Sequence, residues 1–191
     1  MRKRTGLTLA VTLAGALALT VLASYGTAGL GKKSDSKAKK MSGYLEVPSI
    51  STTGRGKIET RINNSTSIEY KLTYSGLSGN PSVAHIHFAQ PGVSGGIAAF
   101  LCGGGGKPAC PASGSVSGTI VAADVMAVAG QGIAATEIGE LIAAMRAGFT
   151  YANVHTALYP SGEIRGQIAA RGNDNGNGDG NGNGKGDGDN D

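Results

Sequence analysis

The chain has 191 residues, 33 of them glycine, with two cysteines, three histidines and no tryptophan. Its net charge of +4 is carried by the ends, and residues 41–171 hold eight basic against seven acidic side chains. Such a balance excludes the one-sided basic footprint that nucleic-acid binding requires, while about 130 residues suffice for one domain with its own core.

Residues 1–29 read as a secretory signal peptide: Arg2-Lys3-Arg4, an apolar run from Leu7 to Ala23, then small residues. The run is too short and too diluted by Gly15 and threonines for a stable membrane span, which takes about 20 apolar residues. Residues 30–41, rich in lysine, are expected to form a basic linker, and the domain to occupy 42–171. An exported chain of this kind is secreted, periplasmic or held at the cell surface.

From Ser42 the pattern is strand and turn. Residues 43–47 are expected as a strand stopped by Pro48, and 56–62 as a second ending at Asn63-Asn64. Residues 67–74 alternate Ile68, Tyr70, Leu72 and Tyr74 with Glu69, Lys71 and Thr73, the period of a half-buried antiparallel strand. Further strands are expected around Val83 to Phe88, over 96–101 and over 115–121. One segment changes period: Ile138, Leu141, Ile142 and Met145 recur at helical spacing. Thr136 is placed to cap that helix, Arg146 lies in its last turn and Gly148 follows its end.

The last two strands flank residues 160–162, Pro-Ser-Gly, as a hairpin with a three-residue loop. That loop pairs Tyr159 with Glu163, Ala157 with Arg165 and His155 with Gln167. His155, Glu163, Arg165 and Gln167 then share one face, and Val154, Leu158, Ile164 and Ile168 the other. The tail, 172–191, is Gly, Asn and Asp with no apolar residue to bury, so disorder is expected there. Its acids lack the spacing and closing Glu of an EF-hand loop. The expected architecture is thus all-β and antiparallel, with about eight strands and one amphipathic helix.

His85 and His87 lie two apart on one strand, so both rings leave the same face, about 6–7 Å apart. With His155 from a neighbouring strand they make a three-nitrogen set suited to copper or zinc. The competing account makes the three histidines, with Asn153, Glu163, Arg165 and Gln167, a structural polar cluster. Arg165 opposes a cation unless Glu163 neutralises it. Gly92-Val-Ser-Gly-Gly96 matches a hydrolase nucleophile-elbow pattern, but it sits in a glycine loop between strands, not in the strand-to-helix turn which that chemistry needs. Cys102 and Cys110, close together in a Gly/Pro loop of an exported chain, are expected to form a disulfide.

Several motifs in order carry a resemblance. They are Gly43-x-x-Glu46-Val47-Pro48, Ala84-His85-Ile86-His87, Phe100-Leu101-Cys102-Gly103, Cys110-Pro111 and Ser117-Gly118-Thr119-Ile120. Tyr151-x-Asn153-Val154-His155-Thr156 and Pro160-x-Gly162-Glu163-Ile164-Arg165-Gly166-Gln167 follow. Together they resemble the CHRD (chordin-type) domain of bacterial secreted proteins, and the resemblance implies an immunoglobulin-like or superoxide-dismutase-like β-sandwich. The His-x-His strand and the late Val-His are also loosely similar to copper/zinc superoxide dismutases, although a fourth histidine is missing. The resemblance implies no reaction. The expected function is a non-enzymatic binding module for an unidentified extracellular or envelope ligand. The alternatives are a copper or zinc protein using the three histidines, and a structural or adhesive module of the envelope or matrix.

Overall fold

A computed structural model of the chain describes residues 34–35, 38–63 and 65–168; the expected signal peptide and tail lie outside them. In chain order the strands are β1 (Ser34–Asp35), β2 (Lys39–Ser42), β3 (Arg55–Asn63), β4 (Ser67–Ser75), β5 (Pro81–Phe88) and β6 (Gly96–Cys102). β7 (Gly114–Val121), the helix α1 (Ile138–Arg146), β8 (Thr150–Thr156) and β9 (Ile164–Ile168) follow, with short 3₁₀ turns at Gly43–Leu45 and Ala122–Asp124. All pairings are antiparallel, in the order β6-β5-β8-β9-β2-β3-β4-β7, with β1 pairing onto β3. This single sheet curls until its two ends nearly meet, giving the expected all-β fold of sandwich or barrel type. Near the closing seam the buried Tyr70 hydroxyl of β4 donates to the Leu101 carbonyl of β6 at 2.7 Å.

Strict alternation builds the core. Ile58, Ile62, Ile68, Leu72 and Tyr74 point inward from β3 and β4, and meet Ile86, Leu101, Val154 and Ile164 from the other half. α1 adds Leu141, Ile142 and Met145 to the same core. Arg146 at its end reaches the Ser65 hydroxyl in the β3–β4 turn, so the helix closes that end. The Cys102–Cys110 disulfide ties the 103–109 loop to the end of β6.

Four local expectations are corrected. The stretch expected as linker supplies β2, because Met41 alone faces inward and is buried while Lys40 stays in solvent. Residues 43–47 do not form a strand: Gly43–Leu45 is a 3₁₀ turn, in which the Gly43 carbonyl accepts from both Glu46 and Ile50. Thr136 does not cap α1. Its φ of +69° keeps it out of the helix, and Glu137 takes the cap position. In the final hairpin the register is Tyr151 with Gln167, Asn153 with Arg165 and Val154 with Ile164. That is four residues from the expected register, because the connection is longer than three residues. A shift by an even number leaves faces unchanged, so His155 and Arg165 still point the same way. Leu158, now in the connection, is exposed instead of facing the core.

Candidate metal centre

The centre lies on the face of β5, β8 and β9 that points away from the core. Register places His85 opposite Asn153 and His87 opposite Tyr151 on β8; Asn153 and Tyr151 in turn face Arg165 and Gln167 on β9. His155 sits across from Val83, one diagonal step from His85. Register shifts between β5 and β6 fall beside both β5 histidines, where irregular pairing can re-aim a side chain. Every residue of β8 is buried, on both faces.

What covers this face is loop backbone. Arg165 donates to the carbonyls of Val93 at 2.8 Å and Gln90 at 3.4 Å. Gln167 donates to Ala89 O and Gly148 O. Gly95 lies so close to Phe88 that a Cβ there would collide with its carbonyl. The Gly92–Gly96 pattern is therefore a covering loop whose backbone serves the site. On the other side Phe100 meets His85 edge-on at 4.6 Å.

The three imidazoles converge, with one ring nitrogen from each lying within 4.8 Å of the others. His85 Nδ1 and His155 Nε2 are 3.1 Å apart. Asn153 Oδ1 lies 2.9 Å from His155 Nε2 and 3.1 Å from His87 Nε2. The far nitrogens face backbone oxygens: His87 Nδ1 is 2.9 Å from Gly95 O, and His155 Nδ1 is 2.9 Å from Pro160 O. A carbonyl only accepts, so these contacts place the single proton of each neutral ring on Nδ1 and leave both Nε2 lone pairs pointing inward. That is the tautomer a metal ligand needs, fixed by the kind of outer contact that accompanies metal-bound histidine.

The rings are held neutral. Burial, then the charges of His155 and His87, pushes His85 down to about 3. Burial also pulls His87 and His155 below the usual range, outweighing the opposing pull of their carbonyl contacts. His87 stacks on Tyr151 with ring centres 4.7 Å apart, and the Arg165 guanidinium lies 3.4 Å over that same ring.

Glu163 stands apart from these groups. It is fully buried, but its carboxylate accepts from Thr52 Oγ1, Ser78 N, Ser78 Oγ and Thr156 Oγ1 at 2.6–2.9 Å. Burial alone would raise its pKa, and these donors outweigh it to hold the group low. The acid that serves the site is Glu46, which only its place in a motif had marked. It is buried, and burial pushes it up to about 7 against the charge of Arg165, the Val47 N–H and the Asn153 amide. Its Oε1 has no hydrogen-bond partner. Gly162, at φ +127°, is required here, since a Cβ would sit 2.5 Å from Glu46 Oε1 and 2.7 Å from Asn153 Nδ2.

The sequence profile of the CHRD domain matches residues 38–168. The chain belongs to the CHRD domain family. The matched span begins just before β2 and ends with β9, so this CHRD domain includes the strand first read as linker. No curated protein and no solved structure matches the chain. Among the described residues of the CHRD chain, no helix is long and apolar enough to cross a membrane.

Proposed function

We propose that this CHRD domain is a non-enzymatic binding module, exported from the cytoplasm, whose ligand is one copper or zinc ion held by His85, His87 and His155. The observation that carries this reading is the convergence of three imidazole nitrogens within 4.8 Å, two of the rings turned by backbone carbonyls so that Nε2 faces inward. Two nitrogen ligands on one ion with bonds of 2.0–2.1 Å stand at most about 4.2 Å apart. A pair at the full 4.8 Å would close by about 0.6 Å to stand opposite each other on an ion and by about 1.5 Å to take tetrahedral positions. The neutral rings bind a cation without first losing a proton. The positive charge of Arg165, which would oppose the ion, is faced by Glu46. The disulfide accords with an oxidising compartment.

A metal-free polar network that fastens the covering loops to the sheet is the competing account, and the Gly95 and Pro160 contacts taken alone favour it. The two are separated by titrating metal-stripped protein with Cu²⁺ and Zn²⁺ and following thermal unfolding. One ion per chain and a raised midpoint are expected, with both effects lost in His87→Ala. Binding is expected to weaken as pH falls, because the imidazoles must stay unprotonated. A wild-type midpoint that neither ion moves would sink the proposal.

A further inference from the structure

We infer that Asn153 supplies a fourth donor, its side-chain oxygen, and that Glu46 holds it in place, making a site selective for copper(II) over zinc; this rests on the metal-binding reading above. The starting point is an unsatisfied arrangement. His87 Nε2 and His155 Nε2 carry lone pairs once their protons sit on Nδ1, yet both stand within 3.1 Å of Asn153 Oδ1, which is also an acceptor. His85 Nδ1 can donate to His155 Nε2, but His87 Nε2 and Asn153 Oδ1 remain two acceptors 3.1 Å apart with no donor between them, and burial removes the water that would relieve them. Moving the protons to Nε2 only transfers the conflict to the carbonyls of Gly95 and Pro160. A cation between the acceptors satisfies all of them at once.

Glu46 explains why the amide keeps its oxygen inward. The Asn153 amide faces the Glu46 carboxyl and helps to lower its pKa against burial, and a Cβ on Gly162 would lie 2.7 Å from Asn153 Nδ2 and 2.5 Å from Glu46 Oε1. Turning the amide over would set Oδ1 against the Glu46 carboxyl, acceptor to acceptor whenever that group is ionised. Glu46 is therefore a positioning residue with no contact to the ion.

Spacing points to the metal. Donors at 2.0–2.1 Å from an ion are about 2.9 Å apart when at right angles and about 3.3 Å apart in a tetrahedron. The chain of neighbouring donors, His85 to His155 to Asn153 to His87, has steps of 3.1, 2.9 and 3.1 Å. Their mean, about 3.0 Å, lies nearer the right-angled value. Nitrogen and oxygen donors at right angles suit copper(II), and the Irving–Williams order adds to the preference over zinc.

The test uses the metal-stripped full chain with Cu²⁺ and Zn²⁺ alone as probes, read by competition titration and electron paramagnetic resonance. Wild type is expected to bind one Cu²⁺ more tightly than Zn²⁺, with an axial spectrum split by nitrogen. Asn153→Leu should lose at least tenfold in Cu²⁺ affinity, shift that spectrum and narrow the copper–zinc gap. Glu46→Gln should weaken Cu²⁺ binding about 10-fold or more, the usual cost of losing an outer support, and alter the spectrum without abolishing it. Wild-type copper binding that Asn153→Leu and Glu46→Gln leave unaltered, in affinity and spectrum, overturns the inference and leaves the three-histidine proposal standing. No copper or zinc bound by wild type overturns both. Should Asn153→Leu fail to fold, Glu46→Gln with an unchanged spectrum is the overturning result.

Discussion

On β3 and β4 the side chains that point away from the core include Lys57, Glu59, Arg61, Glu69 and Lys71, all exposed. On β5, β8 and β9 the corresponding face carries His85, His87, Asn153 and Arg165, all buried. The pleat is the same, and the difference lies in what the loops do. Residues 89–95, the 157–163 connection and the turn around Glu46 fold back over the second half and leave the first half open. A polar face left open is satisfied by water, whereas a covered one must satisfy itself from within. Only the second half therefore needs a definite set of partners, and there the partners gather three imidazoles around an amide oxygen.

Three measurements bear on this contrast. The largest effect is expected from Glu163→Ala, which deletes an acceptor that four donors share under the loops. A loss of about 3 kcal/mol in urea unfolding is expected, since hydrogen bonds to a buried charge are among the costly ones to break. A neutral result would mean that water replaces the carboxylate there, and the covered half would not be sealed.

The next effect is acid lability of the metal-free domain. Histidines whose folded pKa is depressed contribute stability that is present above the unfolded value of 6.5 and fades as pH falls below it. Glu46 runs the other way. Raised from 4.5 to about 7, it favours the folded state most below 4.5 and loses that contribution as pH rises to about 7. Three histidines outweigh one carboxylate, so a net loss of about 2 kcal/mol is expected between pH 6.5 and 5. Stability that rises over that interval would show that the rings are charged in the folded state. The smallest effect belongs to the open half: Lys71→Ala should change stability by less than about 0.5 kcal/mol. A cost of several times that would remove the contrast.

How much of this was readable from residues alone depends on which half they occupy. β4 announces itself because one face is wet, so polar and apolar residues alternate. β8, buried on both sides, shows no such alternation. The shared face of His155 and Arg165 follows from parity alone, which is why it survives a register misplaced by four residues. Residues 39–41 read as part of the 30–41 linker because a strand with one inward residue, Met41, has too little pattern to detect. Glu46 was missed as a site residue for a related reason. Its neighbours Tyr44, Leu45 and Val47 are all exposed, so the turn reads as surface, and only the tertiary approach of Gly162 and Asn153 buries the acid. Likewise Gly95 and Pro160 act through backbone carbonyls, which every residue possesses.

The covering loop over 89–95 has a consequence in time. It is latched to the sheet by Gln167 at Ala89, by Arg165 at Gln90 and Val93, by His87 at Gly95 O, and by Gly95 N to the Tyr151 hydroxyl. Several of these must release together before anything the size of a hydrated ion passes that side of the rings, and His87 cannot let go of Gly95 without disturbing its own tautomer. An ion bound as proposed would then exchange through that side no faster than the loop opens. On the metal-binding proposal, such an ion would be held through brief changes in the surroundings that a shallow surface site would follow at once.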